Sequence, residues 1–167
     1  MRMLKIVIAF LLCITAHSQA VAADTTEPGG PLDFCIASVL SAHPGIITGW
    51  RQSGGGPQPP YAIFLLTKDG KIGETYCDAS KPQKFEFKSK SGLHRYEMYE
   101  RAVFPEDKAR AAAPLIFVGP ARILAMELTV SFSGKPQYTY QMLLPGGYTA
   151  TVEIDAAAGR FLKAAVN

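Results

Sequence analysis

The chain has 167 residues, with 17 lysines and arginines, 14 aspartates and glutamates, and 48% apolar residues. This is a globular composition, and the length allows one compact domain or two very small ones, which excludes Rossmann dehydrogenases, kinases and barrel enzymes. The 15 glycines and 12 prolines predict many turns and few long helices.

Residues 1–22 have the three parts of a secretory signal peptide. Arg2 and Lys5 make a basic start, Ile6 to Ile14 is an apolar run, and Ala20-Val21-Ala22 has the form of a signal peptidase site. The apolar run is shorter than the roughly 20 residues that cross a bilayer. Cleavage is therefore predicted after Ala22.

Other interpretations of this segment are a buried N-terminal helix, a retained anchor, or a lipoprotein signal at Cys13. Against the last, Leu12 stands where such a signal has a small residue. Cleavage would leave no transmembrane anchor and a chain with 15 basic and 14 acidic side chains. So balanced a charge gives no argument for a nucleic-acid partner. We expect a periplasmic or secreted protein.

Two cysteines follow the predicted signal, Cys35 and Cys77. A cysteine pair in an exported protein predicts a structural disulfide. A redox pair is the alternative, although the spacing is unlike Cys-x-x-Cys. His43 and His94 have no liganding neighbours at metal-binding spacing, so no metal and no cofactor are expected.

The first half predicts one helix and then strands. Apolar residues recur at helical spacing from Pro31 until His43-Pro44-Gly45 stops the pattern. Strands are expected at 46–52, 61–67, 71–78 and 85–88, with a hairpin turn at the Asp-Gly step 69–70. The residues expected on the buried stripe of the helix are Leu32, Cys35, Ile36, Val39 and Leu40.

The second half predicts a helix followed by an antiparallel sheet. Pro105 and the acidic residues after it begin a helix, and Pro114 ends it. Three runs of alternating apolar residues then follow, joined by glycine-containing turns. The residues expected on the buried face are Leu124, Met126, Leu128, Val130 and Phe132, then Tyr138, Tyr140, Met142 and Leu144, then Tyr148, Ala150, Val152 and Ile154.

The two halves match each other at an offset of 77 residues. This repetition predicts an α+β fold of two tandem units, each a short helix packed on a three- to four-stranded antiparallel sheet. The alternatives are one continuous α+β domain without symmetry, or a sheet domain with an irregular N-terminal arm. The matched pairs are Pro59 and Pro136, Tyr61 and Tyr138, Gly70 and Gly147, Asp78 and Asp155, and Ala79 and Ala156.

The predicted organisation has a signal peptide at 1–22 and a flexible lead-in at 23–31. A first helix-plus-sheet unit at 32–90 is joined by an inter-repeat segment at 91–104 to a second unit at 105–167.

The end of the chain resembles a PepSY domain, in which a strand carrying a V-x-V-D-A-x-T-G signature turns and returns. Asp155 and Gly159 match that turn, while Ala158 replaces the usual threonine. The stretch from Ile36 to Phe87 resembles the same module and departs from it at Lys81-Pro82, where the turn glycine is missing. Such modules are similar in shape to small periplasmic inhibitors built of tandem helix-plus-sheet repeats, including the β-lactamase inhibitor type. The resemblance implies a binding or protease-regulating role and supplies no catalytic residues.

Several residues of types that often act in catalysis or ligand binding have structural interpretations in this sequence. Asp155 is expected to form its turn by accepting backbone hydrogen bonds, and Trp50 to pack partly buried in a strand. The glycines at 54–56 are followed by prolines rather than by a helix, so they do not form a phosphate-binding loop. No Gly-x-Ser-x-Gly motif is present. No catalytic residue is therefore assigned.

One segment, Lys84 to Arg101, interleaves basic and aromatic residues. That combination suits an anionic or protein partner, whereas the simpler interpretation is a solvated linker with a helical turn. The candidate partner-binding residues are Lys88, Lys90, His94, Arg95, Tyr96, Tyr99 and Arg101.

We therefore expect an exported, non-enzymatic binding or inhibitor-like module that acts on a protein partner through its sheet surface or this segment. A small periplasmic hydrolase with an unrecognised site and a structural cell-envelope protein are the alternatives.

Overall fold

A computed structural model describes residues 29–54, 60–78, 81–82, 85–89 and 93–167. The predicted signal peptide and most of the predicted lead-in lie outside these residues. The described chain is a mixed α/β fold in which a few short helices pack on one large antiparallel sheet.

The described residues form three α-helices, α1 (Pro31–Ala42), α2 (Leu93–Tyr99) and α3 (Glu106–Ala112). Helix α1 begins and ends where predicted. Proline suits the first helical position, and the backbone of His43, the C-cap, has left the helical conformation. Helix α3 ends at Ala112, with Ala113 as its C-cap, so the α-helix stops before Pro114 as predicted. The chain continues past α3 as a 3₁₀ turn, Ala113–Ile116, in whose first turn Pro114 loses no hydrogen bond.

In the part of the chain that the structure describes, nine strands form the sheet, and all observed pairings are antiparallel. The order across the sheet is β4-β3-β2-β1-β6-β7-β8-β9, with β5 pairing beside β4 on the same edge of β3. The strands are β1 (Gly45–Gln52), β2 (Tyr61–Thr67), β3 (Ile72–Asp78), β4 (Lys81–Pro82), β5 (Glu86–Ser89), β6 (Arg122–Val130), β7 (Pro136–Leu143), β8 (Thr149–Asp155) and β9 (Phe161–Val166).

The two halves of the sheet meet at its centre, where β1 pairs with β6 over three residue pairs. Trp50 lies opposite Met126, flanked by the pairs Gly49–Glu127 and Arg51–Ala125. This central junction makes one continuous sheet.

Each half has a β-bulge near the junction. In β1 the register against β2 shifts between Ile47 and Gly49, and in β6 the register against β7 shifts between Ile123 and Ala125. A bulge moves the residues on its two sides out of simple alternation. The prediction that Leu124 is buried with Met126 is therefore wrong, and Ile123 is buried instead.

Three further residues of the predicted buried face lie outside the strands, and one of them, Leu144 after β7, is half-buried. Phe132 follows the end of β6 in a turn and is fully exposed, and Tyr148 precedes β8 and is 62% exposed. The alternating pattern in the sequence therefore extends beyond the ends of the strands. Tyr138, Tyr140, Met142, Ala150, Val152 and Ile154 are buried as predicted.

Tyr61 and Tyr138 occupy matched positions in the sheet, whereas Pro59 and Ala79 of the other matched pairs lie outside the described residues. Tyr61 of β2 pairs with Cys77 of β3, and Tyr138 of β7 pairs with Ile154 of β8. Both pairs are related by the offset of 77 residues.

The core lies between one face of the sheet and helices α1 and α3. Leu32, Cys35 and Val39 of α1 are buried against it, as is Trp50, which is more completely buried than predicted. Cys35 and Cys77 form the predicted disulfide, with their Cα atoms 6.1 Å apart and both side chains buried. The bridge joins α1 to the strand beneath it.

The turn between β8 and β9 forms as predicted around Asp155. Its carboxylate accepts hydrogen bonds from the backbone N–H groups of Ala157 (2.9 Å) and Ala158 (3.0 Å). Gly159 has φ +71°, and a Cβ atom there would lie 2.4 Å from the ring of Phe104, so both its conformation and its surroundings require glycine.

Candidate functional site

An open cleft of about 460 Å³ lies over the central junction, on the sheet face opposite to α1 and α3. Alternation along the strands places Gly49 and Arg51 of β1 on this face, since Trp50 between them points into the core. Ala125 and Glu127 of β6 lie on it for the same reason. We call this the central cleft.

The floor of the central cleft is low because its two central residues are small. Gly49, which is itself buried, and the half-buried Ala125 place no large side chain between the flanking residues. A Cβ atom on Gly49 would lie 2.9 Å from the carbonyl oxygen of Met126, closer than real Cβ atoms approach backbone. The close contact between the strands therefore favours glycine there, and the floor stays open.

The two walls of the cleft differ in polarity. Phe64 and Leu66 of β2, with Ile72 of β3, form an apolar wall on one side. Thr139 and Gln141 of β7 form a polar wall on the other side. A ligand in the cleft would therefore meet hydrocarbon on one flank and hydrogen-bonding groups on the other.

Helix α2 closes one side of the cleft with Arg95 and Tyr99. Burial raises the pKa of the Tyr99 phenol, Glu127 raises it further, and Arg95 opposes both effects. Tyr99 therefore stays protonated at neutral pH and can donate a hydrogen bond into the cleft.

Charged side chains of both signs surround the cleft. Arg51 lies 3.8 Å from Glu74 and 5.5 Å above the ring of Phe64, so its guanidinium leans towards β2 and β3. Glu127 stands on the neighbouring strand, diagonal to Arg51 across the floor. The cleft thus presents an apolar floor and wall between opposite charges.

The structure brings only part of the predicted partner-binding set to this cleft. Arg95 and Tyr99 line it, Tyr96 is half-buried in α2, and Arg101 is exposed beyond the end of α2. The backbone of Lys88 lies in β5 and that of His94 in α2, and Lys90 falls outside the described residues.

The end of the predicted inter-repeat segment is packed, not solvated. Phe104 donates its N–H to the carbonyl of Ala156 (2.9 Å), and its own carbonyl accepts the hydroxyl of Tyr138 (2.8 Å). These bonds attach the chain between α2 and α3 to the edge of the sheet where β7 begins and β8 ends, and so restrict the position of α2.

Sequence reasoning missed the strand residues of the cleft, Arg51, Phe64, Glu127, Thr139 and Gln141. Most of them stand at the polar positions of alternating strands, which the sequence pattern assigns to solvent. Only the pairing of β1 with β6 brings them together, and no local motif marks that pairing.

A second polar cluster lies on the other side of the junction, between α1 and α3. Arg110 of α3 is buried and forms a salt bridge with Asp33 of α1. Its Nε atom lies 3.8 Å from Glu106, and its guanidinium carbon lies 5.9 Å from the ring centre of Trp50. Glu106 also accepts hydrogen bonds from Trp50 (3.3 Å) and Tyr140 (3.2 Å).

Burial dominates the titration of this cluster. It raises the pKa of Glu106, although Arg110, Trp50 and Tyr140 oppose the effect. Burial together with Glu106 raises the pKa of Tyr138 to about 12. The cluster ties the helices of the two halves together and is too enclosed to meet a large substrate.

Within the part of the chain that the structure describes, no group of three or more histidine, cysteine or acidic side chains could hold a metal ion. Among the same residues, no helix has the length and apolarity needed to cross a membrane.

Comparisons with known proteins identify a similar fold but assign the chain to no family. No protein-family model matches the chain, and no curated protein matches it. Among solved structures, the chain is similar to a crystal structure described as a "putative lipoprotein" from Clostridium difficile, with a TM-score of 0.55 and 14% sequence identity. The match covers 88% of this chain and 98% of that one. At this identity the likeness shows the shared fold alone.

Proposed function

We propose that this protein is an exported, non-enzymatic binding module that holds a protein partner in the central cleft. The observation that carries the proposal is the cleft itself, which opens at the middle of the sheet between an apolar wall, a polar wall and the arginine and tyrosine of α2. A half-open recess with apolar contacts and a few hydrogen-bonding groups is typical of binding sites.

Export is supported by three observations. The first residues have the form of a cleavable signal peptide, the chain carries the Cys35–Cys77 disulfide, and the fold is shared with a protein described as a lipoprotein. Disulfides persist in oxidising compartments outside the cytosol. We place the protein in the periplasm or outside the cell.

We further propose that the fold consists of two tandem PepSY-like units joined edge to edge. Matched registers support this, since the pairs Tyr61–Cys77 and Tyr138–Ile154 recur at the same offset. The junction supports it too, because its three pairs are symmetric about Trp50 and Met126. Trp50 pairs with Ile63 and Met126 pairs with Tyr140, and these partners are matched by the offset of 77, so Trp50 and Met126 are equivalent although they are 76 positions apart. An antiparallel junction centred on equivalent residues is what a two-fold relation between units produces. The resemblance of the end of the chain to PepSY domains points to inhibition as the form that binding takes.

The test is whether partner capture depends on the cleft. Immobilised processed protein would be exposed to the exported fraction of its own cells, and captured proteins would be compared between Ala125→Leu and Ala165→Leu variants. Both alanines are half-buried in strands on the same face, but only Ala125 lines the cleft.

Ala125→Leu should abolish capture by filling the floor, and Ala165→Leu should retain it. Equal capture by the two variants, with both folded by circular dichroism, would place the partner elsewhere and overturn the proposal.

A further inference from the structure

We infer that the part of the partner that enters the central cleft is an apolar side chain carried between an acidic and a basic residue. The inference rests on the proposed function and specifies the chemistry that the cleft recognises.

The apolar side chain follows from the shape of the floor. Gly49 and Ala125 leave a recess at the junction, and Phe64, Leu66 and Ile72 border it on one side. Hydrocarbon placed there would be removed from water against the half-buried side chains of Phe64 and Ile72, whereas Leu66 is already buried. Such burial is the main source of favourable free energy on binding. A volume of about 460 Å³ holds a large side chain together with the ends of its two neighbours.

The flanking charges follow from the register of the junction. Arg51 lies opposite Ala125, and Glu127 lies opposite Gly49, so the two charged residues are diagonal neighbours across the floor. Diagonal neighbours on one sheet face stand about 7–8 Å apart, but among the described residues Arg51 pairs with Glu74 and no ion pair joins it to Glu127. Each charge is therefore offered to a ligand that crosses the floor between them.

Helix α2 packs beside β6 and adds Arg95 to the lining of the cleft, near Tyr99 and Glu127. Arg51 is held at 3.8 Å from Glu74, a long distance for an ion pair, and more than half of its side chain is exposed. An acidic group of the ligand can approach the exposed guanidinium of Arg51, while Glu127 remains for a basic group. The arginine favours a carboxylate on its side, since guanidinium binds carboxylates in a two-pronged geometry.

End-capped tripeptides separate these contributions. Acetyl-Asp-Leu-Lys-amide and the reversed Lys-Leu-Asp peptide would be titrated into the millimolar range against the processed protein, with chemical-shift changes followed at the amides of Gly49 and Ala125. Acetyl-Ala-Leu-Ala-amide lacks the charges, and acetyl-Asp-Ala-Lys-amide lacks the apolar side chain.

At least one charged leucine peptide should bind and shift both amides. Removing its charges should weaken binding about three- to fivefold per charge, as for partly exposed ion pairs. Replacing its leucine should weaken binding about tenfold or more, because the buried hydrocarbon is lost. Glu127→Gln should remove the advantage of the lysine, and Glu153→Gln, on the same face outside the cleft, should not.

Failure of the inference differs from failure of the proposed function. If no peptide binds, or if charged and uncharged leucine peptides bind equally, the inference is overturned even where Ala125→Leu abolishes partner capture. If peptides bind as described but Ala125→Leu leaves partner capture intact, the proposed function fails and the peptide site stands by itself.

Discussion

Removing the disulfide tests how the first half of the fold is held together. The change is Cys35→Ala combined with Cys77→Ala, which deletes two buried sulfur atoms without adding a polar group. The bridge closes a loop across 42 positions of sequence. The chain-entropy relation for a loop of that length gives a loss of about 4 kcal/mol in the free energy of unfolding.

Urea unfolding followed by circular dichroism measures this loss. The unmodified protein treated with a reducing agent should show the same lowered stability, whereas the double variant should be insensitive to the reducing agent. The slope of the transition reports whether the unfolded chain has expanded. A stability difference below about 1 kcal/mol would refute the assumption that the bridge acts by restricting the unfolded chain.

Three further outcomes are expected. Arg110→Met should lower the free energy of unfolding by about 3–5 kcal/mol, because it leaves the carboxylates of Asp33 and Glu106 without their buried cation. The double variant that also carries Glu106→Gln should recover part of this loss, as measured by urea titration. The pKa of Glu106 is raised from 4.5, so its protonated form stabilises the fold below that pH and this contribution is lost as the pH rises through the folded-state pKa. The stability of the unmodified protein relative to Glu106→Gln should therefore fall above pH 4.5, and a flat difference would contradict the raised pKa. Mass spectrometry of the exported protein should find Ala23 at its N-terminus, and an intact Met1 outside the cell would contradict cleavage.

The elements with strong local signals were predictable. The strand at 61–67 agrees with β2 because an apolar run is bounded by prolines on one side and by an Asp-Gly turn on the other. The disulfide was predictable because Cys35 lies on the apolar stripe of α1 and Cys77 on the inward face of β3. The fourth strand expected at 85–88 is shifted to Glu86–Ser89 and preceded by β4, since β3 pairs with two short segments in place of one.

The features that depend on distant pairing were not predictable. The bulge beside Leu124 has no glycine or other local signature, and its effect on burial emerges only when β6 pairs with β7. The meeting of β1 with β6 depends on which strand edges remain available after each half has formed. Composition therefore pointed to Arg95 and Tyr99, but Arg51 and Glu127 look in the sequence like ordinary solvent-facing strand residues.

The central junction has a consequence for how the chain reaches its native state. Trp50 and Met126 stand 76 positions apart, whereas β1, β2 and β3 pair as neighbours in sequence, and so do β6, β7, β8 and β9. Strand pairings between sequence neighbours close small loops and form quickly. Pairings between distant strands form more slowly, because closing a longer loop costs more conformational entropy. Each half can therefore assemble as its own meander before the two dock, and the burial of the single tryptophan would report that last step.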